Sequence, residues 1–184
     1  VFLMNENITV VSGRECGDCS MCCKIPFIPE FNKPIGIWCE HCDPGNGCKI
    51  YDRRPKRCSD FNCMYLHEPG ISEIWKPNIS KMVLKKDSEN NNGLVVLVDP
   101  KSRNAWRKEP YYSDLKIWAE MHLANQGHVH VYIGHNLIVI LPDKAIDMGV
   151  LADNEAISMS RNITSTGVEW DAVKIIIDGT SAAS

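Results

Sequence analysis

Every cysteine in this chain falls between Cys16 and Cys63, nine in all, and none follows. Thiols gathered this densely do one of three things: they form disulfides, hold metal, or carry out redox chemistry. The same stretch is crowded with Pro, Gly and charge and shows little hydrophobic periodicity. Such a segment cannot build much of an apolar core, so something else must supply its stability, and bound metal can.

Disulfides fit least well. The chain opens Val1-Phe2-Leu3-Met4 and passes at once into Asn5-Glu6-Asn7, without the basic start, apolar stretch or small-residue cleavage site of an export signal. An odd number of cysteines would leave one thiol unpaired. The Asn-x-Ser/Thr sequons at Asn7, Asn78 and Asn162 carry no weight without export. The cytoplasm is therefore the expected compartment, and clustered cysteines there hold metal or catalyse.

The spacing favours ligation. Cys16-x-x-Cys19-x-x-Cys22-Cys23 is the first group. A Cys-x-x-Cys turn aims two sulfurs at one centre, and a third cysteine at the same interval extends the pattern toward the loops that hold cubane iron–sulfur clusters. Cys39-x-x-Cys42 is a second knuckle of the kind found in zinc sites. The Asp43-Pro44-Gly45-Asn46-Gly47 turn can fold Cys48 back toward Cys42, and Cys58 and Cys63 complete the set. All nine are candidate ligands for zinc or iron, the latter alone or as an iron–sulfur cluster. Eight cysteines would serve two four-ligand centres and leave one over; nine could instead hold three zinc ions through shared sulfurs. Clustered thiolates need compensating charge. Lys49, Arg53, Arg54, Lys56 and Arg57 could supply it, as could Lys24 beside the first group; a solvated basic face is the alternative.

The composition excludes several classes. No apolar run approaches the roughly 20 residues of a membrane span, and a formal net charge of −3 gives no case for nucleic acid. The expected partners are metal ions, with no membrane, little reason for nucleic acid, and no protein partner legible.

The expected fold class is α+β, with a cysteine-rich metal-stapled N-terminal module packed on a small antiparallel sheet with one main helix. Residues 1–15 lead in, 16–66 form the module, and 67–184 form an α+β part that packs on it as one compact unit. Lys81–Lys86 and Leu94–Val98 read as strands joined by a polar loop over 87–93. Asp114–Gln126 reads as a helix, with Ser113 as N-cap, Leu115, Trp118 and His122 on one face, and Gly127 as the stop. Val129–Ile133 and Leu137–Leu141 form a hairpin across Gly134-His135-Asn136, and Ala172–Asp178 adds a last strand. Residues 149–167 fit no pattern, and the tail from Gly179 is small and polar.

Other groups compete with the cysteines. His41 lies inside the second knuckle and His67 beyond Cys63, but nine sulfurs make both imidazoles surplus as ligands. His128 and His130 share a strand face, with His135 in the adjoining turn; a second metal site is conceivable, and a polar strand face is the ordinary explanation. Trp38 beside Cys39 could shield the cluster, while Trp75, Trp106, Trp118 and Trp170 suit the core. No nucleophile elbow, phosphate-binding glycine loop or zinc-protease helix is present, so no catalytic residue is assigned.

The first cysteine run carries a resemblance when taken with Cys39 and the stretch Gly47-Cys48-Lys49-Ile50-Tyr51-Asp52-Arg53-Arg54-Pro55-Lys56-Arg57-Cys58-Ser59-Asp60-Phe61-Asn62-Cys63. Together they resemble the CxxCxxCC family of bacterial cysteine-cluster proteins, also called YkgJ-like, which is described as a zinc- or iron-chelating domain. Its eight cysteines map onto Cys16, Cys19, Cys22, Cys23, Cys39, Cys48, Cys58 and Cys63; Cys42 is additional. The resemblance spans residues 16 to about 66 and implies metal chelation. A flagellin lysine N-methylase contains a similar cysteine region, which makes an iron–sulfur-dependent protein-modifying enzyme the alternative function, and a zinc-stapled interaction module the third. No glycine-rich loop follows a strand to mark a methyl-donor site.

Overall fold

The structure is a computed structural model that describes residues 9–61, 63–87, 92–165 and 167–177. Residues 1–8 of the lead-in (with the Asn7 sequon), residues 88–91 of the polar loop, Asp178 and the tail from Gly179 lie outside the described residues.

The chain is α+β, with small antiparallel sheets and one main helix. In order come β1 (Cys42–Asp43), β2 (Gly47–Cys48), α1 (Lys56–Ser59), α2 (Met64–His67), α3 (Pro77–Ser80), β3 (Met82–Lys86), β4 (Leu94–Val98), α4 (Tyr111–Ala124), β5 (Val129–Ile133), β6 (Asn136–Ile140), β7 (Ala145–Val150), β8 (Glu155–Thr164) and β9 (Gly167–Ile176). The largest sheet has the order β3-β4-β5-β6-β7; β1-β2 and β8-β9 are separate two-stranded ribbons.

By contacts the chain forms two compact units. The first is Val1–Lys86 with Leu97–Trp106, and the second is Asp87–Val96 with Arg107–Ser184. The first extends past the composition shift near residue 66.

The first unit is built from short helical turns, as its lack of periodicity requires. Its interior includes Trp75 and Trp106, both fully buried. A small apolar cluster of Met21, Ile25 and Val83 receives Cys19, Phe61, Cys63 and Leu97 against it. Lys24 is buried and ion-paired with buried Asp99. Asp99 also accepts from the Lys101 backbone N–H at 3.1 Å. Gly36 holds φ +74, and a Cβ there would come within 2.8 Å of the Pro100 ring.

The second unit places its core on Leu123, Leu137, Val139, Leu141, Met148 and Ala172. Strand β5 pairs with β6 from Val129↔Ile140 to Ile133↔Asn136, and β6 pairs with β7 across an irregularity at Leu137/Ile138. Helix α4 starts at Tyr111, ahead of the expected Asp114, because the Asp114 N–H already reaches the Pro110 carbonyl; Ser113 is thus inside the first turn, and Pro110 stands at the cap. The buried stripe is Leu115, Ala119 and Leu123, with Trp118 and His122 only half-buried. The helix ends at Ala124. Gln126 takes the left-handed conformation (φ 61). Gly127 is required for another reason: a Cβ would lie 1.7 Å from the Asn92 carbonyl oxygen.

Residues 149–167, which fitted no pattern, hold the end of β7 and nearly all of β8. Strand β8 pairs with β9 over ten residues, from Glu155↔Ile176 to Thr164↔Gly167, so the last strand starts earlier than the expected Ala172. Only Ala172 of this ribbon is fully buried, while Ile157, Met159 and Trp170 pack partly on the core. A ribbon so little covered lacks the clean apolar alternation that marks a strand in sequence.

Candidate metal centre

The cysteines reach their places through backbone bonds that short turns impose. In the first knuckle the Cys19 N–H donates to the Cys16 carbonyl at 2.7 Å, with Gly17 at φ +48. Asp18 in the same turn accepts from Lys76 Nζ at 3.0 Å and Asn78 Nδ2 at 3.1 Å, which ties the turn to α3 and lowers the Asp18 carboxyl. A 3-10 turn at Met21–Cys23 follows. The Cys39 N–H donates to the Cys23 carbonyl at 3.0 Å, linking the two knuckles, and the Cys42 N–H donates to Cys39 at 3.0 Å. The Asp43–Gly47 turn then returns the chain so that Cys48 stands opposite Cys42. Cys58 sits in α1, and Cys63 stands at the N-terminal end of α2.

Eight of the nine cysteines line one cavity of 510 Å³: Cys16, Cys19, Cys22, Cys23, Cys39, Cys48, Cys58 and Cys63. Cys42 does not. It is buried, and hydrogen bonds from Cys23 and Ser20 act on its sulfur. All nine thiols are free of disulfides. Among the described residues, no three His, Cys, Asp or Glu side chains stand close enough to hold a metal ion as they are. The sulfurs ring the cavity without converging.

Their electrostatics divide them. Cys16 is raised by burial, then by Cys22 and Cys19; it is exposed as a residue and lines the cavity. Burial pushes Cys63 up to about 12, with Cys19 and Cys22 adding to it. Cys19 and Cys63 also share the Met21/Ile25/Val83 cluster. Burial raises Cys58 first, then Glu30, then Cys39, Cys22 and Cys48. The Cys23 thiol hydrogen-bonds Cys22, holding Cys22 down at about 7 and driving Cys23 upward. Cys22 also acts on Cys16, Cys19, Cys42, Cys58 and Cys63.

The compensating cations differ from those the sequence suggested. Of the basic run, Arg54 and Arg57 line the cavity, and the Arg54 charge helps to lower Cys16 and Cys22. Lys49, Arg53 and Lys56 do not line it, and Lys56 pairs with Asp60. Lys24 is neutralised by Asp99 rather than by the thiols. Lys33 does not line the cavity either, but it is a buried cation that sequence reasoning missed. Its buried ammonium donates to the Lys24 and Pro34 carbonyls, each at 2.8 Å. Burial lowers its pKa, while Cys39, Cys23 and Cys58 oppose that shift. Nothing in the local sequence marks it: the left-handed Asn32 (φ 47) and the Ile28↔Lys33 bridge turn it inward.

His41 and His67 both line the cavity; His41 meets the Phe31 ring edge-on, and His67 Nδ1 lies 3.3 Å from the Thr9 carbonyl. Trp38 does not line it and so is no shield; it lies at the surface with Lys24 Nζ 5.6 Å from its ring centroid. In the second unit, His128 and His130 stack at 5.7 Å, while His135 is exposed. His130 is no solvated strand residue. Burial lowers its pKa to about 4, and among the described residues its Nε2 has no hydrogen-bond partner.

No family model, curated protein or solved structure matches this chain.

Proposed function

We propose that the chain is a metal-chelating protein, binding zinc or iron through the cysteine cavity of its first unit. One observation carries the reading: eight cysteines spread along the chain from Cys16 to Cys63 line the same cavity. Thiolates are soft, anionic donors that suit zinc and iron–sulfur centres. The lining set is also the set of eight that resembles the YkgJ-like pattern, and the additional Cys42 is the one left out.

The eight lining thiols match in number the ligands that two four-thiolate centres need. Bound metal supplies Lewis-acid cross-linking or, as an iron–sulfur cluster, one-electron chemistry. The chain's own residues do the rest. The turns aim the sulfurs, Arg54 and Lys33 offset thiolate charge, and the sulfurs draw inward on loading. That contraction makes the module metal-stapled, because few apolar contacts hold it otherwise. Reduced thiols suit a cytoplasmic setting.

Anaerobic purification followed by metal analysis tests the proposal. Two equivalents of zinc in a colourless protein are expected, or iron with sulfide in a brown one. No metal, with nine titratable thiols and an intact fold, refutes it.

A further inference from the structure

We propose that the second unit docks a second copy of this chain along the outer edge of β8, the two β8 strands running antiparallel with Ser158 on the two-fold axis.

Strand β8 pairs with β9 in unbroken register over ten residues, and the two form a sheet of their own. A two-stranded ribbon is marginal in water, and further strands are what make such a sheet stable. Strand β9 is tied toward β7. Lys174 Nζ donates to the Val150 carbonyl at 2.8 Å, and Asp171 pairs with Lys144 at 3.5 Å. That leaves β8 as the outer strand, and among the described residues no strand pairs with its other edge. Proteins that keep an edge single blunt it with proline, lysine, a bulge or a short strand. β8 uses none of these: it contains neither Pro nor Lys, its register does not shift, and it exceeds the usual five or six residues, roughly twofold.

Charge along β8 selects a second copy as the occupant. Its two charged residues, Glu155 and Arg161, have opposite signs and stand symmetrically about Ser158. Both share a face with Ile157 and Met159, because side chains alternate along a strand. Laid antiparallel against itself about Ser158, the strand sets each Glu155 opposite the other copy's Arg161 and each Ile157 opposite Met159, twice over by symmetry. Directly opposed pairs of unlike charge or of apolar side chains stabilise a sheet. A slide of two residues in either direction sets Glu155 against Met159 or Ile163 instead. A slide of one residue puts the matching side chains on opposite faces. Both charged groups are ready for this contact. The Glu155 carboxylate accepts from the Ala152 N–H and from Lys174 through Oε2 alone, and its Oε1 remains for a guanidinium. Arg161 is exposed and lies over the Trp170 ring, 5.9 Å from its centroid.

The test is sedimentation velocity of the full chain over a wide range of concentration, in reductant so that an intermolecular disulfide does not imitate pairing. A reversible dimer is expected. Arg161→Glu and Glu155→Arg each set like charges opposite one another at both symmetric positions and should weaken the dimer by about tenfold. The double variant Glu155→Arg/Arg161→Glu exchanges the charges and should recover most of that loss. Because Glu155→Arg also loses the bonds to Ala152 and Lys174, Ser158→Lys serves as a further variant. It leaves those bonds in place, sets two lysines against each other on the axis, and should give a monomer. A chain that is monomeric at every concentration overturns the proposal. So does a dimer that Arg161→Glu and Ser158→Lys leave intact, or a double variant weaker than either single.

Discussion

The buried Lys24–Asp99 pair makes the sharpest stability prediction, because it sits beside Cys23 and has no water to fall back on. Lys24 is 8% exposed and Asp99 3%. Removing one partner leaves the other charge buried and uncompensated, at a cost of about 3–5 kcal/mol. Asp99→Ala also frees the Lys101 N–H that the carboxylate accepts from. Its loss should therefore lie at the upper end of that range, and Lys24→Met at the lower. Against a total stability of about 5–15 kcal/mol, either is a large fraction. With a urea slope of about 2 kcal/mol per molar, each single variant lowers the unfolding midpoint by roughly 2 M. The double variant Lys24→Met/Asp99→Leu removes both charges and fills the site with apolar side chains, so it should recover most of the loss. The assay is equilibrium urea unfolding at fixed metal content, followed by fluorescence of buried Trp75 and Trp106. Single variants that each cost less than about 1 kcal/mol, or a double variant as unstable as the sum of the singles, would refute the reasoning.

Three further outcomes follow from the same structure. Cys42→Ser should keep the full metal complement while Cys58→Ser loses one equivalent, as read by elemental analysis; equal losses would place Cys42 among the ligands. Gly127→Ala should destabilise by several kcal/mol in thermal or urea unfolding, because a Cβ 1.7 Å from the Asn92 oxygen forces the backbone to move; a change under about 0.5 kcal/mol would rule out that close approach. His130 has a folded-state pKa near 4, depressed from 6.5 by burial and by the His128 charge. Its contribution is thus complete above pH 6.5 and is lost as the pH falls toward 4, by up to about 3 kcal/mol. Stability measured at pH 7 and pH 4.5 should fall less in His130→Gln than in the unaltered chain, and parallel pH profiles would exclude the effect.

Strands and helix were legible where an apolar run is flanked by turn residues. Leu94–Val98 and Val129–Ile133 stand at the bounds that their β-branched runs indicate, and β6 differs from expectation by one residue. The β8–β9 ribbon was not, because most of its residues are exposed on both faces and no alternation reports them. The helix start was misplaced because Ser113 looks like a cap, while the Tyr112 and Asp114 N–H groups already reach the Lys108 and Pro110 carbonyls. Within the site, spacing alone singled out the nine cysteines, but not the cations that face them. Arg54 and Arg57 were legible only as part of a run, and Lys33 was not legible at all.

The sequence by itself determined that all nine thiols lie in the first part of this chain, at spacings that put pairs of them on single turns. Tertiary structure decided which thiols share a cavity, that Cys42 is not among them, and that Lys33 is buried while Lys24 is paired with Asp99. Those facts depend on long-range placement: Asp99, far along the chain, neutralises Lys24. A bridge between Ile28 and Lys33 turns Lys33 inward. Charge compensation acts through space, and spacing along the chain carries no record of it.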